Sequence, residues 1–268
     1  MKALSNRQVA EYHRDGICFP ISALTQEEVH AASYEFERFE TYFGGSPSPE
    51  RLRHLQLFLP WARRLALHTR VLDAVEDLIG PDILVHSATM FCKHPGDRAY
   101  VSWHQDGHYW GLDEPRLVSA WVALAPSTAE NGCLRVVRGS HRMGNLPHGE
   151  TSLSERNLLT SGLEVAVQVD ESEACDVVLE AGQVSFHNVN IVHGSKPNCS
   201  NSVRIGFAIR YISPEVKQRI SHPPVLLARG RGQNSNFAIF EGRPYDSIPE
   251  AVAACEGFCA EVQRMRRT

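Results

Sequence analysis

Between Asp82 and Ser213 the chain breaks into short apolar runs separated by turn residues, with no helical period between them. The runs are Ile83–Lys93, Leu117–Ala125, Cys133–Val137, Val177–Leu179, Val184–Phe186 and Val203–Ile212. Their length and their valine and isoleucine content are those of β-strands. Gly96-Asp97, Glu130-Asn131-Gly132 and Gly139-Ser140 punctuate them as turns. Short strands that follow one another without helices predict a sandwich or barrel, not a parallel α/β sheet. The stretch 141–175 is long and polar, with Gly144, Gly149 and Gly162, and reads as a lid-like insert.

Helical patterns flank this β region. Ser5 to Gly16 carries Val9, Tyr12 and His13 at helical spacing and stops at a glycine. Thr25-Gln26-Glu27-Glu28 fits a capping box ahead of the stripe Val29, Ala32, Phe36 and Phe39. Gly44 to Pro49 is a loop by composition. A third helix is predicted from about Pro60 to Ile79, ended by Gly80-Pro81, and a last one from Ser247 to Arg266. At 268 residues the default is a single domain. Its expected parts are a helical support (1–81), a β core (82–213) holding the 141–175 insert, and a C-terminal extension with a helix (214–268).

Composition narrows the function classes. With 43% apolar and 22% charged residues the chain is an ordinary globular protein. A formal charge of −4 gives no reason to expect nucleic acid or an anionic membrane as partner. No apolar run approaches the ~20 residues of a membrane helix, and residues 1–15 lack a signal peptide's apolar stretch, so the cytoplasm is the expected location. The seven cysteines are scattered and form no C-x-x-C. Cys255 and Cys259, four apart, read as reduced thiols on one helix face.

His104-Gln105-Asp106 carries the chemistry. On an extended segment, residues two apart point to one side, so His104 and Asp106 supply two legs of a metal site. His193, on a later strand, supplies the third. Two histidines and one carboxylate on one face leave the opposite face open, which suits a non-haem Fe(II) oxygenase. Arg204 lies eleven residues after His193, a gap that a hairpin closes. An arginine there grips a dicarboxylate end-on, and Ser195 adds a hydroxyl to it. His108, Tyr109, Trp110 and Arg135 are the candidate substrate contacts. His13, His30, His54, His68 and His222 have no partner pattern. His104-x-x-x-His108 has zinc-protease spacing, but Gln105 stands where the glutamate belongs and Gly107 weakens any helix. Gly230-Arg231-Gly232 lacks the context of a nucleotide loop.

Several ordered motifs together resemble the phytanoyl-CoA dioxygenase family. They are Trp103-His104-Gln105-Asp106, Trp121, Asn131-Gly132-Cys133-Leu134, Arg138-Gly139-Ser140-His141, and His193-Gly194-Ser195 with Pro197-Asn198 and Arg204. Tyr12 and Arg14-Asp15-Gly16 also fit, whereas the tail after Ser213 matches loosely. The resemblance implies a mainly β double-stranded β-helix (jelly roll) with flanking helices. It implies Fe(II), with 2-oxoglutarate and O2 as cosubstrates, and hydroxylation of a small molecule with release of succinate and CO2. It makes His104, Asp106 and His193 the iron ligands and Arg204 and Ser195 the anchor of the distal carboxylate. Lys93, Gln105 and Trp121 match positions around the same cosubstrate. Asp106 stands where halogenating relatives lack a carboxylate, which favours oxygen transfer. Desaturation, epoxidation, ring formation or an acyl-thioester substrate remain open, as does a metal-bearing jelly roll without redox chemistry.

Overall fold

Two hydroxyl residues start the helical support. α1 (Asn6–Asp15) begins at Ser5 and α2 (Gln26–Tyr42) at Thr25, each in a reciprocal capping box with Gln8 and Glu28. These boxes satisfy N–H groups that a helix start leaves unpaired. Gly16, at φ +78°, ends α1 in the left-handed conformation that glycine adopts without strain. The computed structural model describes residues 1–109, 112, 116–150, 156–159, 163–218, 223–232 and 236–265.

β1 (Ile17–Ser22) separates α1 from α2, and α3 (Leu55–Phe58), α4 (Pro60–Ala66) and α5 (Thr69–Ile79) follow. The sequence pattern predicted one helix over Pro60–Ile79, but the chain breaks at Leu67–His68. The reason lies in the apolar positions. Trp61, Ala62, Leu65 and Ala66 of α4 and Val71, Leu72, Val75 and Ile79 of α5 are buried. In one continuous helix these two sets would be offset by about a quarter turn. The break lets both face the core.

The strands are β2 (Ile83–Lys93), β3 (Val101–His104), β4 (Leu117–Ala123), β5 (Leu134–Val137), β6 (His148–Glu150), β7 (Leu163–Val165), β8 (Ala174–Val177), β9 (Gln183–Asn188), β10 (His193–Ser195), β11 (Arg204–Ile212) and β12 (Leu226–Arg229). α6 (Ile248–Met265) closes the chain. One sheet has the order β1-β9-β4-β11-β2-β12, a second β3-β10-β5-β8, and β6-β7 is a hairpin. The pairings are antiparallel throughout. The fold is the double-stranded β-helix. The run expected at Val177–Leu179 is paired earlier, over Ala174–Val177, so the 141–175 stretch already contains the start of an edge strand as well as the β6-β7 hairpin.

Alternation along β11 shows how the core sits. Phe207, Ile209 and Tyr211 point outward into the helices, where Phe207 meets Trp61 at 6.3 Å between ring centres and the Tyr211 hydroxyl donates to Ala66 O. Each such burial contributes about 1.5–3 kcal/mol. Arg204, Gly206, Ala208 and Arg210 point the other way, between the sheets. Gly206 is fixed by contact: a Cβ there would fall 1.9 Å from the Trp121 ring.

Candidate active site

His104 ends β3 and His193 begins β10, and the two are direct cross-strand partners. That pairing brings side chains within a few ångströms, and the imidazole centres lie 4.0 Å apart. Each ring is oriented by the backbone two residues earlier: His104 Nδ1 lies 2.9 Å from Ser102 O, and His193 Nδ1 lies 2.9 Å from Ile191 O. A carbonyl only accepts, so Nδ1–H donates in both, and Nε2 is the ring nitrogen left toward the cluster.

Asp106 was expected on the same extended segment as His104. Instead it opens a single 3-10 turn, Asp106–Tyr109, immediately after β3. The turn still brings its Oδ1 to 3.7 Å from His104 Nε2. Oδ2 accepts from Ser119 Oγ at 2.8 Å and lies 3.5 Å from Arg210 Nε. The ligating atoms of His104, Asp106 and His193 lie within 4.8 Å of one another, all three side chains buried. Burial opposes ionisation of Asp106, but Arg210 and the two histidines outweigh it and hold the carboxyl well below its usual range. Burial, then His104, keeps His193 far below its usual value and therefore neutral. An ionised carboxylate beside two imidazoles is the donor set that suits a divalent transition metal.

Trp121, Leu134, Phe91 and Ala208 line the pocket beside this cluster, and Ser195 and Arg204 give it a polar end. Arg204 does not return on a hairpin beside His193. β11 pairs with β2 and β4 in the six-stranded sheet, whereas β10 belongs to the other sheet. The two residues meet across the sandwich, a long-range packing that spacing does not reveal. The Arg204 guanidinium lies 5.4 Å from the Trp121 ring centre, and among the described residues its buried Nε has no hydrogen-bond partner. Burial lowers Arg204 to about 10, which leaves it charged. A buried cation with an unused donor fits an anionic ligand end. Lys93, opposite Arg204 in the β2–β11 register, donates to Ser195 Oγ at 2.7 Å and to Lys196 O. It lies behind Ser195, outside the pocket lining.

Gln105 is placed beside the pocket, not in its lining. Its Nε2 donates to Gly144 O and Asn190 O, and its Oε1 accepts from Leu146 N. The amide is spent on tying three backbone segments together. Gln105→Ala is therefore expected to cost about 2–4 kcal/mol from the buried groups left unpaired, read as a lowered Tm, with cosubstrate affinity little changed. An unchanged Tm with weakened cosubstrate binding would return Gln105 to the pocket. Arg135 bonds Asp176 and Glu171 and lies over the Trp103 ring, outside the lining. His108 stacks on His148 at 3.9 Å, against the β6-β7 hairpin. Tyr109 contributes its backbone to the 3-10 turn. Trp110 lies outside the described residues, as do Gly111, Gly162, His222 and Arg266.

Two groups that touch Asp106 escaped the sequence reading: Ser119 and Arg210. Alternation was the available signal. Ser119 and Trp121 share one face of β4, and Arg210 shares one face of β11 with Arg204. His187 is fully buried 5.0 Å from His193, and burial pushes it down to about 4.

A double-stranded β-helix with a buried cluster of two histidines and one carboxylate at its mouth defines the class of non-haem iron oxygenases. The sequence profile described as phytanoyl-CoA dioxygenase matches residues 12–206. The chain belongs to the phytanoyl-CoA dioxygenase family, and it is a 2-oxoglutarate-dependent dioxygenase. It is 27% identical to the ectoine dioxygenase of Bordetella parapertussis, over 92% of this chain and 87% of that protein. It is 28% identical to the human peroxisomal phytanoyl-CoA dioxygenase, over 54% and 44% of the two chains. The solved structure of the non-haem monooxygenase ThoJ superposes with a TM-score of 0.80 at 33% identity, over 97% of this chain and 96% of that one. The nickel complex of ThoJ gives a TM-score of 0.76 at 31% identity, over 97% of both chains. Among the described residues, no helix is long and apolar enough to cross a membrane.

Proposed function

We propose that His104, Asp106 and His193 hold Fe(II), that Arg204 and Ser195 anchor 2-oxoglutarate, and that the enzyme hydroxylates an unactivated C–H of a small molecule. The observation that carries this is the convergence of the three side chains: both Nδ1 atoms are turned to backbone carbonyls, and the ligating atoms of His104, Asp106 and His193 lie within 4.8 Å of one another. When bound, the metal and its keto-acid cosubstrate supply O2-dependent oxidation of a C–H bond, with succinate and CO2 as co-products. The chain's own residues do the rest. Ser119 fixes Asp106 Oδ2, so that Oδ1 is the oxygen left toward the histidines. Arg204 fixes the far carboxylate by two-point hydrogen bonding and stays over Trp121. The apolar wall of Phe91, Leu134 and Ala208 excludes water from the reacting end.

A small-molecule substrate is supported by the relatives named for ectoine and by the low net charge, which does not suit a polyanion. The seven unpaired cysteines support a reducing compartment, the cytoplasm. In this reading the chain acts as one domain, with residues 1–81 as support, 82–213 as core, the 141–175 stretch as cover and 214–268 as an extension. The buried Arg204–Ser195 end supports a dicarboxylate cosubstrate, for which a metal-bearing jelly roll without redox chemistry would have no use. The test is succinate release by the Fe(II)-loaded chain across a panel of small polar and natural-product-like molecules. Substrate-stimulated release supports the reading; metal binding without 2-oxoglutarate consumption contradicts it.

Lys93 gives a pH dependence. Burial, reinforced by Arg204, pushes it down to about 6, and Asp97 only partly compensates. Above that pH the free site holds Lys93 neutral. A dicarboxylate arriving beside Ser195 favours the charged form, so binding takes up a proton. Affinity for 2-oxoglutarate is then expected to fall as pH rises from about 6 toward 8, by up to tenfold per unit. Calorimetry in buffers of different ionisation enthalpy reads that uptake directly, and Lys93→Met flattens the profile. Equal slopes in both proteins would remove Lys93 from the linkage.

A further inference from the structure

On the outer face of the six-stranded sheet, away from the pocket, three further ligating side chains converge. Cys92 precedes Lys93 on β2 and points to the opposite face, into the helical layer. His94, two residues on, returns to the side of Cys92. Glu40, in the last turn of α2, completes the group. His94 Nε2 lies 3.0 Å from Glu40 Oε1 and 3.6 Å from Cys92 Sγ, and the three ligating atoms lie within 4.8 Å of one another. A tetrahedral zinc ion with ordinary Zn–S and Zn–N lengths has S···N edges of about 3.6 Å and N···O edges of about 3.3 Å. The chain thus holds the three atoms near the edges of such a polyhedron before any ion arrives.

We propose that Glu40, Cys92 and His94 form a second metal site, separate from the pocket cluster, that takes a borderline-soft divalent ion of the Zn(II) type. One thiolate, one imidazole and one carboxylate suit Zn(II) or Co(II), whereas Mg(II) and Ca(II) demand oxygen donors. Cys92 is buried, Glu40 half-buried and His94 exposed, so the fourth position opens to solvent on the histidine side. Burial, then Glu40, holds the Cys92 thiol protonated in the metal-free chain. Uptake of the ion releases that proton as the Sγ–metal bond forms. The strand end concerned is already pinned, since Asn198 Nδ2 donates to the carbonyls of both Lys93 and His94. An ion there ties α2 to the strand that carries Lys93 to the pocket.

The experiment is an anaerobic Co(II) titration of the reduced, Fe(II)-loaded full chain, read by near-ultraviolet thiolate-to-cobalt charge-transfer absorption. The expected result is an absorption that saturates at a single thiolate-ligated ion per chain. It persists in Asp106→Ala, which damages only the pocket cluster, and disappears in Cys92→Ser. In His94→Ala and Glu40→Gln the apparent affinity falls by at least about tenfold. His94 is exposed, so its variant keeps the proposal testable if Cys92→Ser does not fold. Zn(II) is expected to displace the cobalt signal and to raise Tm in the wild type but not in His94→Ala. Absence of a thiolate band in the wild type, or an undiminished band in Cys92→Ser or His94→Ala, overturns the site.

Discussion

Asp106→Ala is expected to abolish turnover, by more than about 100-fold, because losing a ligand exceeds the 10–100-fold cost of losing a group that merely orients one. The argument rests on charge as much as on coordination. His193 is held neutral, and the proposed site has Asp106 as its one anion, kept ionised by Arg210 against its own burial. Removing it leaves two imidazoles, which bring no negative charge, for a dication in a low-dielectric pocket. Asp106→Asn separates the roles, since the amide oxygen can still accept from Ser119 but carries no charge. Iron stoichiometry after gel filtration and succinate release are the readouts, and both variants are expected to lose iron. Normal iron content and turnover in Asp106→Ala would remove it from the ligand set.

Arg204→Ala is expected to weaken 2-oxoglutarate by roughly 10–100-fold, from about 1.5–3 kcal/mol for a charge-assisted contact. Iron binding should not change, because Arg204 reaches the pocket from β11, in the opposite sheet from the β3 and β10 histidines. Arg204→Lys is expected to fall between wild type and alanine, since an ammonium keeps the charge but cannot reproduce a two-point grip. Equilibrium titration of the Fe(II)-loaded protein measures all three. An unchanged Kd in Arg204→Ala would move the anchor elsewhere.

What the sequence disclosed follows from the range of each signal. Capping boxes at Ser5 and Thr25 are local, and both helices begin where the pattern put them. β2 and β11 are eleven and nine residues long and rich in apolar residues, long enough to read directly. β3 and β10 have only four and three residues, and they were legible through their histidines rather than their hydrophobicity. The break between α4 and α5 was hidden because each half alone is a sound helix. Arg204 was found but its route was not, since pairing of β11 with β4 joins residues 83 to 95 positions apart, from Gly206–Ala123 (206 − 123) to Ile212–Leu117 (212 − 117). Arg210 and Ser119 were missed although they share strand faces with residues already named. Alternation pointed to them once the inward face was known.

The most direct test is anaerobic. Fe(II) is added to the metal-free protein, 2-oxoglutarate is titrated, and the metal-to-ligand charge-transfer band is followed. The account predicts a saturable band, shifted to higher cosubstrate concentration in Arg204→Ala and absent in Asp106→Ala. Stoichiometric iron binding with no band at any 2-oxoglutarate concentration would contradict it and leave a metal-binding jelly roll without this redox chemistry.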